Sequence, residues 1–288
     1  GSALVRALTR AGFTNLITAP RPGVDLRDCS AVRTLFDEIR PNVVILAAAK
    51  VGGIQANRVY PADFLYDNLA IQTNVLEESR RVGVRELVFL GSSCVYPREC
   101  PQPMKEEYLL TGPLEPTNEA YALAKIAGLR MAQFYEKQHG MRAICPMPSN
   151  LYGTNDNFHP ENSHVLSALV RKFCDAADAG DTVVTVWGTG KARREFLHVD
   201  DLAEAVLLLI ERWHSPEIIN VGPGEDVSIR ELAELIAGKA GFTGELRWDA
   251  SMPDGMPRKL LDVSKITGLG FQPKISLEQG IGQTIHEY

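Results

Sequence analysis

Tyr121 stands four positions before Lys125 in the stretch EAYALAKIAG, 119–128. On a helix, residues four apart share a face, so a phenol and an ammonium at this spacing converge. A free phenol, with a pKa near ~10, is a sluggish acid–base group at neutral pH. An ammonium one turn away favours the phenolate and lowers that value, which makes proton exchange at a substrate oxygen easier. The spacing alone recurs in many chains, so its meaning rests on the surroundings. One of these is GSSCVYP, 91–97, which follows the apolar run ELVFL. Ser92 there ends a buried strand, where the ligands of a parallel sheet bind.

The elements that must position these groups alternate along the chain. SALVRALTRAG reads as a helix ending at Gly12, NLIT as a short strand, AVRTLFDEI as an amphipathic helix, and VVILAAA as a strand covered on both faces. NLAIQTNVLEESRRVG is a helix and ELVFLGSS a strand; the helix carrying Tyr121 runs to about His139-Gly140, and RAICPMPSN is the next strand. This order implies a doubly wound parallel sheet of Rossmann type. After about residue 150 the rhythm changes. The polar loop DNFHPENSH leads into the helix VLSALVRKFCDAADAG, the strand TVVTVWGTG, the helix HVDDLAEAVLLLIERW, the strand EIINVG and the helix SIRELAELIAGKAG. Residues 1–149 are expected to form a dinucleotide-binding domain to which 196–222 returns. Residues 150–195 and 223–288 are expected to form a smaller α/β substrate domain. A dinucleotide fold normally opens with a strand and a glycine-rich turn, yet this chain starts on a helix. Gly1-Ser2 reads either as an expression remnant or as the last glycine of that turn flowing into its helix. The second reading is favoured, and it places roughly 15 residues, one strand and a phosphate-binding turn, upstream.

Composition narrows the class. In 288 residues, 45% are hydrophobic and 23% charged, as in an ordinary globular protein. A net charge of −6, with no Lys/Arg run, argues against a nucleic-acid partner. No apolar run approaches a membrane span. The five cysteines (Cys29, Cys94, Cys100, Cys145 and Cys174) are scattered, without zinc-ligand spacing. They fit a reduced, cytoplasmic setting without a metal.

GSSCVYP, EPTNEAYALAKIAG, PSNLYGTNDNFHPENSH (148–164), REFLHVDD (194–201) and PDGMPRKLLD (253–262) together carry a resemblance. The chain resembles the extended short-chain dehydrogenase/reductases over nearly its whole length. Within them it resembles the GDP-L-fucose synthase family, the epimerase/reductases of GDP-4-keto-6-deoxy-mannose. The resemblance implies that Tyr121 gives or takes a proton at the carbinol oxygen, that Lys125 tunes it and binds the nicotinamide ribose, and that Ser92 bonds the C4 oxygen of the sugar. Cys94 is then the base and His164 the partner acid that invert C3 and C5 before NADPH reduces C4. A thiolate can act as that base if nearby cations lower its pKa. Sugar dehydratases typically carry an acidic residue after the strand serine; SSCVYP has none, which disfavours dehydration. His198 in EFLHVDD is expected to cap or pack a helix start.

The cofactor is expected to be NADP(H). NAD-preferring sites often end their second strand with an acid; LITAPRPG has none and offers Arg21 for a 2′-phosphate. Asp25 and Leu26 resemble the pair beside adenine, and Ala47 and Ala48 let backbone approach the cofactor, with Lys50 facing a phosphate. Gly1, Pro148, Asn150, Leu151 and His164 complete the implied cofactor contacts. For the GDP-sugar, the resemblance points to Lys172, Trp187, Arg194 and Lys259, with Asn150 nearby. The family often has arginine where Lys172 stands. Outside that context these are surface cations and a core tryptophan. The family also implies a homodimer through two helices of the cofactor domain. Two other functions compete: a nucleotide-sugar 4-epimerase, against which Cys94 and His164 argue, and a non-catalytic dinucleotide sensor, against which the Ser92–Tyr121–Lys125 set argues.

Overall fold

Successive residues of a strand face opposite ways. In Glu86–Phe89 this sends Leu87 and Phe89 into one apolar cluster and Val88 into another. In Arg142–Pro148, Ala143, Cys145 and Met147 share the first cluster and Ile144 the second. Strands apolar on both sides need cover on both, the condition for a parallel α/β layer.

The computed structural model describes residues 1–19, 23–159, 163–252 and 254–288. The chain forms α1 (Ser2–Arg10), α2 (Cys29–Ile39), β1 (Val43–Leu46), α3 (Ile54–Val59), α4 (Pro61–Val82), β2 (Glu86–Phe89), α5 (Glu119–His139), β3 (Arg142–Pro148) and β4 (Asn150–Tyr152). It continues with α6 (Val165–Ala179), β5 (Val183–Trp187), β6 (Arg193–Arg194), β7 (Phe196–His198), α7 (Val199–Arg212) and β8 (Ile218–Val221). The last elements are β9 (Val227–Ser228), α8 (Ile229–Lys239), β10 (Glu245–Asp249), β11 (Arg258–Lys259), α9 (Ser264–Gly268) and α10 (Leu277–Glu287).

The main sheet is parallel, in the order β1-β2-β3-β8. Residues of α2, α4 and α5 cover one face, and those of α1 and α7 the other. Arg6–Asp200 and Arg10–Glu204 ion pairs add to the α1–α7 contact. A third cluster joins α6, α8 and α10 to β5, which pairs with β10. Between β3 and β8, which are neighbours in the sheet, the chain contributes α6 and β5 to the third cluster and α7 to the face shared with α1. Among the described residues, no helix is long and apolar enough to cross a membrane.

Two strand expectations need correction. Asn15–Thr18, the NLIT stretch, forms no strand. A strand is stable only against a partner that takes up its N–H and C=O groups, and among the described residues β1, the end strand of the sheet, pairs only with β2. The VVILAAA run stops pairing at Leu46, so Ala47–Ala49 form loop at the strand's end. His198 caps α7 as expected, its Nδ1 accepting from the Asp200 N–H at 3.3 Å. The short α3 and the C-terminal α10, started by a Ser276–Gln279 capping box, were not anticipated from the sequence.

One close approach sets the position of α5. A Cβ added to Gly128 would lie 2.4 Å from Phe89 Cζ of β2 and 2.6 Å from Gln72 Oε1 of α4. Gln72 in turn donates to the Ala124 carbonyl at 2.7 Å. Gly128 lies on the same face as Lys125, so this contact fixes how near the Tyr121–Lys125 turn comes to the sheet. Gly128→Ala should therefore destabilise the protein by about 1–3 kcal/mol through overpacking. A thermal melt should show the midpoint falling by about 2–4 °C per kcal/mol; an unchanged midpoint would show that α5 can shift freely.

Candidate active site

β2 ends at Phe89, and Gly91 lets the chain continue beside β3: a Cβ there would lie 2.2 Å from Met147 Sδ. Ser92, in extended conformation, then caps a short 3-10 turn, Ser93–Val95, with its Oγ accepting from the Cys94 N–H at 3.3 Å. The cap aims two chemical groups, two residues apart, from one strand end. Tyr121, in the first turn of α5, hydrogen-bonds the Ser92 hydroxyl. Ser92, Cys94 and Tyr121 are thus brought together.

Lys125 lies one turn below, 6% exposed, and donates to the Leu90 carbonyl at 2.8 Å. Its Nζ is 5.8 Å from the Tyr121 ring centroid and 5.0 Å from that of Phe89. Burial lowers its pKa to about 8. The Tyr121 phenol is held well above its usual range, first by burial and then by the neighbouring Cys94, with the Ser92 hydrogen bond opposing. The expectation that Lys125 lowers the phenol's pKa is not met here. Its ammonium bonds a backbone carbonyl beneath the ring instead of meeting the phenol oxygen, and desolvation of the phenol dominates.

Cys94 is half-buried and receives a cation that no local pattern announces. Lys259 Nζ lies 3.6 Å from its Sγ, from a residue 165 positions away. Parallel pairing of β11 with β6 puts Lys259 in register with Arg194, and the Arg194 guanidinium also interacts with Cys94. Arg194 donates to the carbonyls of Arg193 at 2.8 Å and Asp254 at 3.2 Å. Burial pulls its pKa down, against Cys94, Asp254 and Glu115. His164 caps the start of α6, open to solvent on one side and crowded by the fold on the other. That crowding lowers its pKa, Asp156 opposes and Lys259 adds to the lowering. Lys259 therefore acts on both Cys94 and His164.

The other expected substrate contacts lie on neighbouring elements. Trp187, at the end of β5, is 52% exposed, and Lys172 Nζ of α6 sits 5.4 Å from its ring centroid while bonding the Thr185 carbonyl at 3.0 Å. Gly188 follows Trp187 and packs on the Asp254 carboxylate, which accepts from the Thr189 N–H at 2.7 Å and its hydroxyl at 2.6 Å. Asn150, in β4, donates its N–H and side-chain amide to the Glu195 carbonyl at 3.2 and 2.8 Å. Pro148 ends β3, and Leu151 packs with the α1–α7 cluster.

A cavity of about 460 Å³ opens at the end of β1, lined by Leu26, Arg27, Ala47–Ala49, Lys50 and Ile71 among others. The alanines present no side chain beyond Cβ, so backbone faces the space between apolar Leu26 and Ile71 and cationic Arg27. The lining fits the adenosine end of a dinucleotide: an apolar slot beside exposed backbone, with Arg27, Lys50 and the Asp67 carboxylate among its polar groups. Arg27, which sequence reasoning passed over, pairs with Asp25 at 2.7 Å and Asp67 at 3.1 Å. Lys50 pairs with Asp67 at 2.9 Å and Asp63 at 3.4 Å, so its ammonium is engaged by carboxylates where a phosphate contact was expected. Gly1 caps α1. Arg21 lies outside the described residues.

Residues 1–222 match the model of the NAD dependent epimerase/dehydratase family. GDP-L-fucose synthase 1 of Arabidopsis thaliana is 56% identical over 288 residues, all of this chain and 89% of its own length. The GDP-L-fucose synthase of Escherichia coli K12 is 48% identical over 293 aligned residues, 99% of this chain and 91% of its own. The crystal structure of a GDP-L-fucose synthetase from Naegleria fowleri bound to NADP superposes with a TM-score of 0.91 at 30% identity, covering all of this chain and 89% of that one. By the family model and by these full-length relatives, the chain belongs to the NAD dependent epimerase/dehydratase family.

Proposed function

We infer that the chain is an NADP-dependent epimerase/reductase of the GDP-L-fucose synthase kind. It takes GDP-4-keto-6-deoxy-D-mannose, inverts C3 and C5 and reduces C4. The observation that carries the reading is that two catalytic sets share one strand end: Ser92 with Tyr121 above Lys125, and Cys94 with Lys259. They do so in a chain 56% identical throughout to a GDP-L-fucose synthase.

The hydrogens on C3 and C5 are acidic because both carbons adjoin the C4 ketone. Cys94 as thiolate takes such a proton, and the C–H electron pair moves onto the C4 oxygen. Ser92 and Tyr121 donate hydrogen bonds to that oxygen, and Lys259 steadies the charge at sulfur. Return of a proton to the opposite face restores the ketone inverted. His164 returns this proton from its imidazolium, the form that its lowered pKa makes the minority near pH 7. Bound NADPH supplies hydride to C4. Tyr121, kept protonated by its raised pKa, gives the C4 oxygen its proton. Leu26, Ala47, Ala48 and Arg27 hold the adenosine end, with Asp25, Gly1, Pro148, Asn150 and Leu151 as further contacts; Lys125 serves the nicotinamide ribose. Lys172, Trp187 and Arg194 take the GDP end of the sugar nucleotide, by charge and by an exposed indole face.

The same reading makes the protein a cytoplasmic homodimer. Cys29, Cys94, Cys100, Cys145 and Cys174 are all free thiols. Tyr66 of α4 and Phe134 of α5 are 70% and 61% exposed on helices that pack together, and a second copy would cover them. Tyr66→Glu with Phe134→Glu should then halve the mass seen by analytical ultracentrifugation; an unchanged dimer would place the interface elsewhere.

Proton NMR in D₂O separates the two chemistries. Tyr121→Phe should lose about 10²–10⁴-fold in reduction, the usual contribution of a proton-transfer group, yet still exchange deuterium into C3 and C5. Cys94→Ser should lose that exchange and still oxidise NADPH with the unepimerised sugar, because a serine hydroxyl ionises far less readily than a thiol. Undiminished deuterium incorporation in Cys94→Ser would return that residue to packing.

The titration of Lys125 sets an alkaline limit. Its charge is present below about 8 and lost above, so the reduction rate should fall as pH rises through that value. Lys125→Arg, with a guanidinium that stays charged, should retain residual activity whose alkaline limb lies at least one pH unit higher. An unmoved limb would assign the titration to another group.

A further inference from the structure

We propose that Glu195 is a positioning residue for the thiol chemistry: its carboxylate ties the segment carrying Lys259 to the strand carrying Arg194, and so keeps the ammonium on Cys94. This rests on the reading of Cys94 as the base. Glu195 is 1% exposed, between β6 and β7. Its Oε2 accepts from the Leu261 N–H at 2.9 Å and its Oε1 from the Gly224 N–H at 2.8 Å. Leu261 is two residues past Lys259, whose Nζ meets Cys94 Sγ at 3.6 Å. The Glu195 carbonyl accepts both Asn150 bonds. One residue thus joins β4, the turn after β8, and the segment after β11.

The site is built around the carboxylate. A Cβ at Gly222 would lie 2.2 Å from Oε1, so only glycine lets the backbone come this near. Burying a carboxylate is expensive, and here two backbone N–H groups compensate it. An apolar side chain would fill the space, but it would leave both N–H groups unmet. The Lys259 segment would then keep its pairing with β6 and its bonds to Gln102 Oε1, which accepts from the Leu260 N–H at 2.9 Å, and to the Met104 N–H, which bonds the Leu260 carbonyl at 2.7 Å, but would lose the tie at Leu261.

Charge around Glu195 makes the tie sensitive to pH. Burial pushes its carboxyl up to about 7, the two N–H groups oppose, and Asp226 and Glu225 add to the rise. Asp226 is itself held by Arg193 and Arg258, and Arg194 and Lys259 stand on the paired strands beside it. Ionised, Glu195 accepts two N–H groups; protonated, it presents an O–H toward one of them and loses that bond. The tie is therefore complete above about 7 and weakens as pH falls through that value.

Alkylation of Cys94 by iodoacetamide, followed on its peptide by mass spectrometry across pH, tests this without substrate or cofactor. Glu195→Gln should slow alkylation about tenfold near neutral pH, because the ammonium is no longer held at the sulfur. Glu195→Asp, too short to reach both N–H groups, should give an intermediate slowing and serves if the glutamine variant fails to fold. Lys259→Met should slow alkylation at least as much, and adding Glu195→Gln or Glu195→Asp to it should change nothing more. Unaltered alkylation in the Glu195 variants, or an equal further slowing in the Lys259→Met background, would overturn the proposal. Either failure leaves the solvent-exchange test of Cys94 standing, because that test does not involve Glu195.

Discussion

A buried ammonium bonded to a strand-end carbonyl is the contact on which the catalytic geometry hangs. Lys125 enters the space between α5 and β2 and spends its hydrogen bond on Leu90, two residues before Ser92. That bond can form only because α5 crosses β2 at Gly128 with no side chain between them, and because Gly91 lets the strand end lie against Met147. The phenol above and the serine beside it then need no further adjustment. Helix and strand are rigid elements, and one short polar contact locks their relative position where their reactive groups meet.

The charges of the second half complete what the first half begins. Cys94 follows β2 of the main sheet, whereas Lys259 and Arg194 come from β11 and β6, which pair in a separate small sheet. Two cations beside the thiol suit a site where negative charge develops and moves. Tyr121 is protonated at neutral pH, because burial raises its pKa.

Much of this was legible in the sequence, for identifiable reasons. Tyr121 and Lys125 are coupled by helical periodicity, and Ser92 and Cys94 by an apolar run that stops at small polar residues; both are local patterns. The β/α order follows from apolar period, and it fails at Asn15–Thr18, where an apolar stretch lacks a pairing partner. What could not be read is long-range. The Lys259–Cys94 contact spans 165 positions, and Asp63 and Asp67, which engage Lys50 and, for Asp67, also Arg27, sit a helix away on α4. The direction of the Tyr121 shift was also hidden, since it depends on where the Lys125 ammonium points, and spacing does not specify that.

The distance along the chain between Cys94 and Lys259 bears on how the protein is made. A ribosome delivers the cysteine long before the lysine. Through that interval the thiol has no ammonium at its sulfur, because β11 and its register with β6 do not yet exist. The pair forms only when the last part of the chain docks over the sheet. The contact between sulfur and ammonium thus coincides with completion of the fold, and an unfinished chain carries Cys94 without it.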